Sequence, residues 1–130
     1  MVFLDDIASY LQTSGIGTVG VDLFTVKLPE SVDAAVLLQE RAGMAPDQMT
    51  TIERPGFRVL CRNADTDAGA LAAYNKAYAI KKLLHRAVGI TLGTTLYHRI
   101  DATGNPTFNG QDPRGRPIYE VSFIATKEEE

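Results

Sequence analysis

The chain has 130 residues, 45% of them hydrophobic and 22% charged, with a formal net charge of -3. That is enough for one domain, residues 1–130, burying roughly two-thirds of its unfolded surface without covalent staples. The acidic balance argues against backbone-driven nucleic-acid binding, which needs clustered Lys and Arg, and the lone Cys61 excludes an intrachain disulfide or a thiolate metal cage. No apolar run approaches the roughly 20 residues of a membrane span, and MVFLDDIASY lacks the basic start of a signal peptide, so cytosol-like, reducing conditions and no membrane are expected.

Val2 to Gln12 has helical spacing, with Phe3, Leu4, Ile7, Ala8 and Leu11 on one face and Asp5 and Asp6 in the first turn, where the helix dipole favours acids. Thr13 to Gly20 ends it. A helix this short must dock on something, its own sheet or a neighbour. Val21 to Leu28 alternates as a strand, with Phe24, Val26 and Leu28 on one face, and Pro29 breaks it before a second strand, Ala34 to Glu40. Arg41 to Pro55 carries Gly and Pro and is expected to be irregular. Gly56 to Arg62 is a third strand with Phe57, Val59 and Cys61 inward and Arg58, Leu60 and Arg62 opposite.

Asp65 to Ala87 is the one long helix, capped by Asp65 or Asp67, with a stripe of Ala73, Ala77, Ile80, Leu84 and Ala87 edged by Leu71, Tyr74 and Tyr78. Lys81, Lys82, His85 and Arg86 sit at its C-terminal end, where cations suit the dipole, and Val88-Gly89 closes it. Leu92 to Ile100 places Leu96, His98 and Ile100 on one face and Tyr97 and Arg99 on the other. Ile118 to Ala125 places Tyr119, Val121, Phe123 and Ala125 inward. These last two are antiparallel partners, and Lys127 to Glu130 is a frayed tail. The expected fold is α+β: an antiparallel sheet of about five or six strands, with the long helix on one face and the short N-terminal helix on or beside it.

Between the last two strands lies DATGNPTFNGQDPRGRP, residues 101–117, with three glycines and three prolines. A connection this long in a small domain is functional or disordered. Asn109-Gly110 and Asp112-Pro113-Arg114-Gly115 are turn sequences, which makes 101–117 an extended hairpin arm, firm once it meets a partner. Arg114 and Arg116 bring the fork-shaped donors enriched at interfaces.

Other candidate chemistry is thin. His85 and His98 have no metal-ligand spacing, and a site needs three or four convergent ligands. Cys61 on its alternating strand is a small buried hydrophobe. Each Asp stands where capping or turns use it. Gly15, Gly17 and Gly20 spell G-x-G-x-x-G, but a helix precedes them and a strand follows, the reverse of a phosphate-binding turn. The basic run Lys81, Lys82, His85 and Arg86 has no interleaved aromatics of a stacking platform. No cofactor or metal is expected. A small hydrolase or nucleotide-binding domain would have only Asp101, His98 and Cys61 as reagents.

The segment FLDDIASYLQTSGIGTVGVDLFTVKLPESVDAAVLLQE (3–40), PGFRVLCR (55–62), KKLLHR closing the long helix, ITLGTTLYHRI, and the G-x-D-x-x-G-R-P-x-Y-x-V-S-F run from Gly110 to Phe123 resemble the minor capsid or tail-terminator proteins of long-tailed bacteriophages. The resemblance covers nearly the whole chain and its motifs are structural. It implies a non-enzymatic virion subunit, assembled in the host cytoplasm, that forms a homo-oligomeric ring, a hexamer, at the head-proximal end of the tail. There it would stop tube polymerisation and dock the head connector; a head–tail joining protein of similar fold is the alternative. Its implied partners are further copies of itself, the tail tube protein and the head-completion protein, with DNA sliding through an acidic lumen without specific binding. Candidate contact residues are Phe3, Leu4 and Ile7 on the first helix, Met44, Met49 and Arg54 around the 41–55 segment, and Phe108, Asn109, Arg114 and Arg116 on the arm. Deleting Asn105 to Gly115 is then expected to leave the fold intact and abolish assembly.

Overall fold

The computed structural model describes residues 2–46 and 48–130, and begins with helix α1 (Val2–Thr13). The apolar stripe of α1 is buried from Phe3 to Leu11. Gly15 stops the helix at φ 83, and two hydrogen bonds, Gly15 N–H to Gln12 O at 3.1 Å and Ile16 N–H to Leu11 O at 3.0 Å, satisfy the last carbonyls. This is the Schellman arrangement that a left-handed glycine makes possible.

The alternation of Val21 to Leu28 yields a strand of only two residues, β1 (Leu23–Phe24), paired in parallel with β2 (Ala35–Met44). Val26 is 84% exposed. The segment that follows is held outside the sheet: the carbonyls of Pro29, Glu30, Val32 and Asp33 accept from arginine side chains instead of a strand partner. Period-2 lettering cannot reveal such a competitor.

The expected irregular stretch from Arg41 to Pro55 is mostly a hairpin. β2 runs to Met44, and β3 (Ile52–Arg62) pairs with it antiparallel from Ala35↔Arg62 to Met44↔Arg54, with a bulge between Arg41 and Met44. The glycines serve that bulge: a Cβ on Gly43 would lie 2.1 Å from the Arg54 carbonyl oxygen, and one on Gly56 would lie 2.8 Å from that of Ala42. Gly and Pro punctuate a strand here rather than end it.

Helix α2 (Asp67–Leu84) is capped by Thr66, whose hydroxyl accepts the Gly69 N–H at 2.9 Å, rather than by either neighbouring aspartate. Ala73, Ala77, Ile80 and Leu84 face the core as their spacing requires, while Leu71 is exposed. The helix ends earlier than expected, because Arg86 adopts φ 66 and its N–H bonds Ile100 O at 2.8 Å. Instead of closing a helix, Val88 and Gly89 lie in a strand that periodicity did not announce, β4 (Ala87–Leu92). Gly93, at φ 61, turns the chain into β5 (Thr95–Ala102). A register shift between Tyr97 and Arg99 puts both Tyr97 and Ile100 inward, although simple alternation assigned them to opposite faces.

The arm holds β6 (Thr107–Gln111), which returns alongside β7 (Pro117–Glu128). β7 pairs with β3 along one edge; along the other it pairs first with β6, Thr107↔Glu120 and Phe108↔Tyr119, and then with β5, Ala102↔Phe123 to Tyr97↔Lys127. The curled sheet thus runs β1-β2-β3-β7-β5-β4 with β6 beside β7, seven strands among the described residues. The first half of the expected frayed tail, Lys127 and Glu128, belongs to β7: Lys127 is 2% exposed and holds Glu53 at 2.8 Å. Both helices contribute to one core with the inward side chains of β3, β5 and β7. At its centre Phe57 stacks on Phe123 at 5.1 Å and meets Phe3 edge-on at 5.5 Å.

Candidate functional site

Each of the three possible reagents of an enzyme is either buried or already paired. Burial pushes the Cys61 thiol up to about 12, against a small opposing effect from Lys76, so it stays protonated and inert at neutral pH. His98 Nε2 is 2.8 Å from Glu128, whose carboxyl is held below its ordinary value by hydrogen bonds from His98 and Thr51. Asp101 pairs with Arg99 at 2.7 Å. Among the described residues no group of three His, Cys, Asp or Glu side chains is placed to hold a metal ion. Gly15 terminates a helix and so offers no free N–H groups to a phosphate.

The arm's tip is fastened to its own subunit. Asp112 Oδ1 accepts the N–H groups of Arg114 at 3.0 Å and Arg116 at 2.9 Å, closing the turn, while its Oδ2 takes Arg116 Nε at 2.7 Å and lies 3.5 Å from Arg62. Arg116 also donates to the carbonyls of Glu30 and Val32, both at 3.0 Å, and reaches Asp33 at 3.3 Å. Arg62 donates to the carbonyls of Pro29, Val32 and Asp33. Side-chain exposure is 3% for Arg62, 4% for Arg116 and 10% for Asp112. Two planar forks thereby pin the 29–33 loop and the 112–116 turn to the end of β3.

The electrostatics follow from that geometry. Burial, and then the neighbouring Arg116 charge, lower the Arg62 pKa against the pull of Asp112 and Asp33. Burial acts to raise the Asp112 pKa, but the hydrogen bonds from Arg116 and Arg114 outweigh it and hold the carboxyl below its ordinary value.

The candidate contact residues separate into groups. Phe3 and Ile7 are buried in the subunit's own core and Arg116 is spent on latching the 112–116 turn, so none of these three offers a surface, while Leu4, also buried in the core, shows only its edge to a groove beside α1. Met44 and Met49 stand exposed around the β2–β3 hairpin tip, with Arg54 half-buried nearby on β3. Phe108, Asn109 and Arg114 are exposed on the arm, where Arg114 reaches only as far as Glu30 O at 3.4 Å.

What the linear reading missed is an aromatic row. Phe108 meets Tyr119 edge-on at 5.6 Å, Tyr119 meets Tyr74 at 5.6 Å, and Tyr74 stacks on Tyr78 at 6.1 Å. Lys81 and Lys82 lie 5.3 and 5.9 Å from the Tyr78 ring centre, so the basic run does have an aromatic beneath it, contrary to expectation. The i, i+4 spacing of Tyr74 and Tyr78 was the available signal; the strand residues join them only through the fold.

The family model for bacteriophage tail terminator proteins matches residues 10–129. The chain belongs to that family. It is therefore a bacteriophage tail protein with a structural role, a component of a phage virion. Among solved structures, this terminator-family chain is similar to one from the virion of a native gene transfer agent particle, at a TM-score of 0.68 and 17% identity over 95% of this chain and 93% of that one, a likeness of fold. Comparison with curated proteins gives no match.

Proposed function

We propose that the protein forms a ring, a hexamer, on the head-proximal end of the tail tube, where it stops further polymerisation and offers the surface on which the head connector docks. The observation that carries this reading is the terminator family model, matched over residues 10–129. A ring of identical subunits needs two unlike patches on each copy. The surface has several suited to that use: the methionine-bearing hairpin tip, the exposed arm, and the outer side of α2. DNA would cross a lumen walled by acidic chains and slide without sticking.

Native mass spectrometry of the purified protein, alone and with tail tubes, tests the proposal. A hexamer, free or appearing on the tubes together with arrest of their growth, is the expected result. A protein that remains monomeric and leaves tube growth unaltered rules it out.

A further inference from the structure

Two exposed surfaces of this chain are apolar and oppositely charged. The first is the outer side of α2, where Leu71, Tyr78 and Lys82 recur at helical spacing and Tyr78 continues into the aromatic row toward Phe108. Lys82 lies over Tyr78, and neither Lys82 nor Arg86 meets a carboxylate among the described residues. An aromatic face overlaid by cations is a surface that gains by meeting carboxylates and apolar groups together, because association desolvates both the ring and the ammonium.

The second surface is an open groove of about 490 Å³ between the start of α1 and the outer edge of β2, lined by Leu4, Asp5, Thr25, Val26, Gln39 and Glu40. Past Val26 it continues into an apolar hollow of about 300 Å³ floored by Leu23 and Phe24, with Lys27 on that stretch. It exists because residues 25–33 leave the sheet after two residues of β1, and that displacement leaves Val26 exposed. Glu40 makes no ion pair among the described residues.

We infer that these two surfaces are the halves of one contact, the lysine–tyrosine side of α2 in one copy seating in the acid-edged Val26 groove of the next. They share no residue, which is what a head-to-tail ring contact requires. Charge complementarity names the occupant. Copies of an acidic chain repel one another, and this pairing sets a cationic strip against an acidic edge. It also assigns Lys82 to the subunit boundary. The inference rests on the ring reading above.

The test is a charge swap in the full-length protein, read as ring mass by native mass spectrometry on tail tubes. Lys82→Glu and Glu40→Lys alter exposed side chains, so each variant should keep the wild-type melting profile. Each alone is expected to raise the protein concentration needed for half-assembly about tenfold or more, and the double variant to restore it. Single variants that assemble normally, or a double variant no better than the singles, overturn this contact while leaving the ring intact. Loss of tube docking by Lys82→Glu with the ring preserved would also overturn it, giving the strip to the tube protein. A wild-type chain that makes no ring removes the ring reading, and the contact with it.

Discussion

Asp112→Ala is expected to lower the unfolding free energy by about 3 kcal/mol or more, because it leaves Arg62 and Arg116 buried with much of their countercharge removed. Urea denaturation at pH 7, compared with wild type, measures it. Acid gives an independent check with a definite sign. The Asp112 pKa is lower in the folded protein than its ordinary value of 3.8. Its contribution is therefore complete above that value and disappears as pH falls through the lower, folded-state value. The gap between wild type and variant should be full at neutral pH and close in strong acid. An Asp112→Ala protein as stable as wild type at pH 7 would show that the latch is held by its backbone carbonyls alone.

The same geometry changes what removing the arm would mean. Deleting Asn105 to Gly115 takes away β6 and Asp112 together, so the fold itself should weaken; the expectation of an untouched fold does not survive the structure. Loss of assembly in such a deletion would report instability as much as a missing contact. Exposed arm residues such as Phe108 and Arg114 are cleaner probes, since neither is buried in the latch.

The second large effect belongs to the core. Phe57→Ala is expected to cost about 3–5 kcal/mol, which for a chain of this size corresponds to a melting temperature lower by about 10–20 °C. Phe57 is fully buried on the strand between β2 and β7, and its ring is the contact between Phe3 of α1 and Phe123 of β7. Truncation leaves a cavity beneath α1 that the surrounding strands cannot close without breaking their ladders. Differential scanning calorimetry gives the result directly. A shift of only a degree or two would mean that α1 collapses into the space, and that the helix is less firmly seated than its buried stripe indicates.

Much of the fold was legible because its signals are local. The stripes of α1 and α2, the inward set Phe57, Val59 and Cys61, and the alternation of β7 each depend on spacing along one segment. The errors share a physical cause as well. The chain leaves the sheet after β1, and the carbonyls of the 29–33 loop bond to arginines far along the chain; β4 is hidden because a left-handed Arg86 ends the helix early; the faces of β5 depart from simple alternation because a bulge resets its register. The 41–55 stretch looks irregular in sequence because its Gly and Pro serve a bulge inside a hairpin.

The interface candidates divide on the same principle. An apolar residue on an amphipathic helix looks the same in sequence whether its own sheet or a neighbour covers it. Phe3, Leu4 and Ile7 were therefore open to either fate, and the tertiary structure puts them in the core. Arg114 and Arg116 stand two residues apart in the same turn; only the approach of the 29–33 loop buries one and leaves the other exposed.

By itself, then, the sequence determined the α+β class, both helices with their buried sides, and the likeness to phage tail terminators. Those rest on periodicity and on motifs that lie close together along the chain. The tertiary structure alone decided that the arm is latched by Arg62, Asp112 and Arg116, that Phe108 joins Tyr119, Tyr74 and Tyr78 in one row with its two ends exposed, and that a groove opens at Val26. Each of these depends on groups from distant segments meeting within a few ångströms, and no local pattern records which carbonyl, ring or carboxylate will be there.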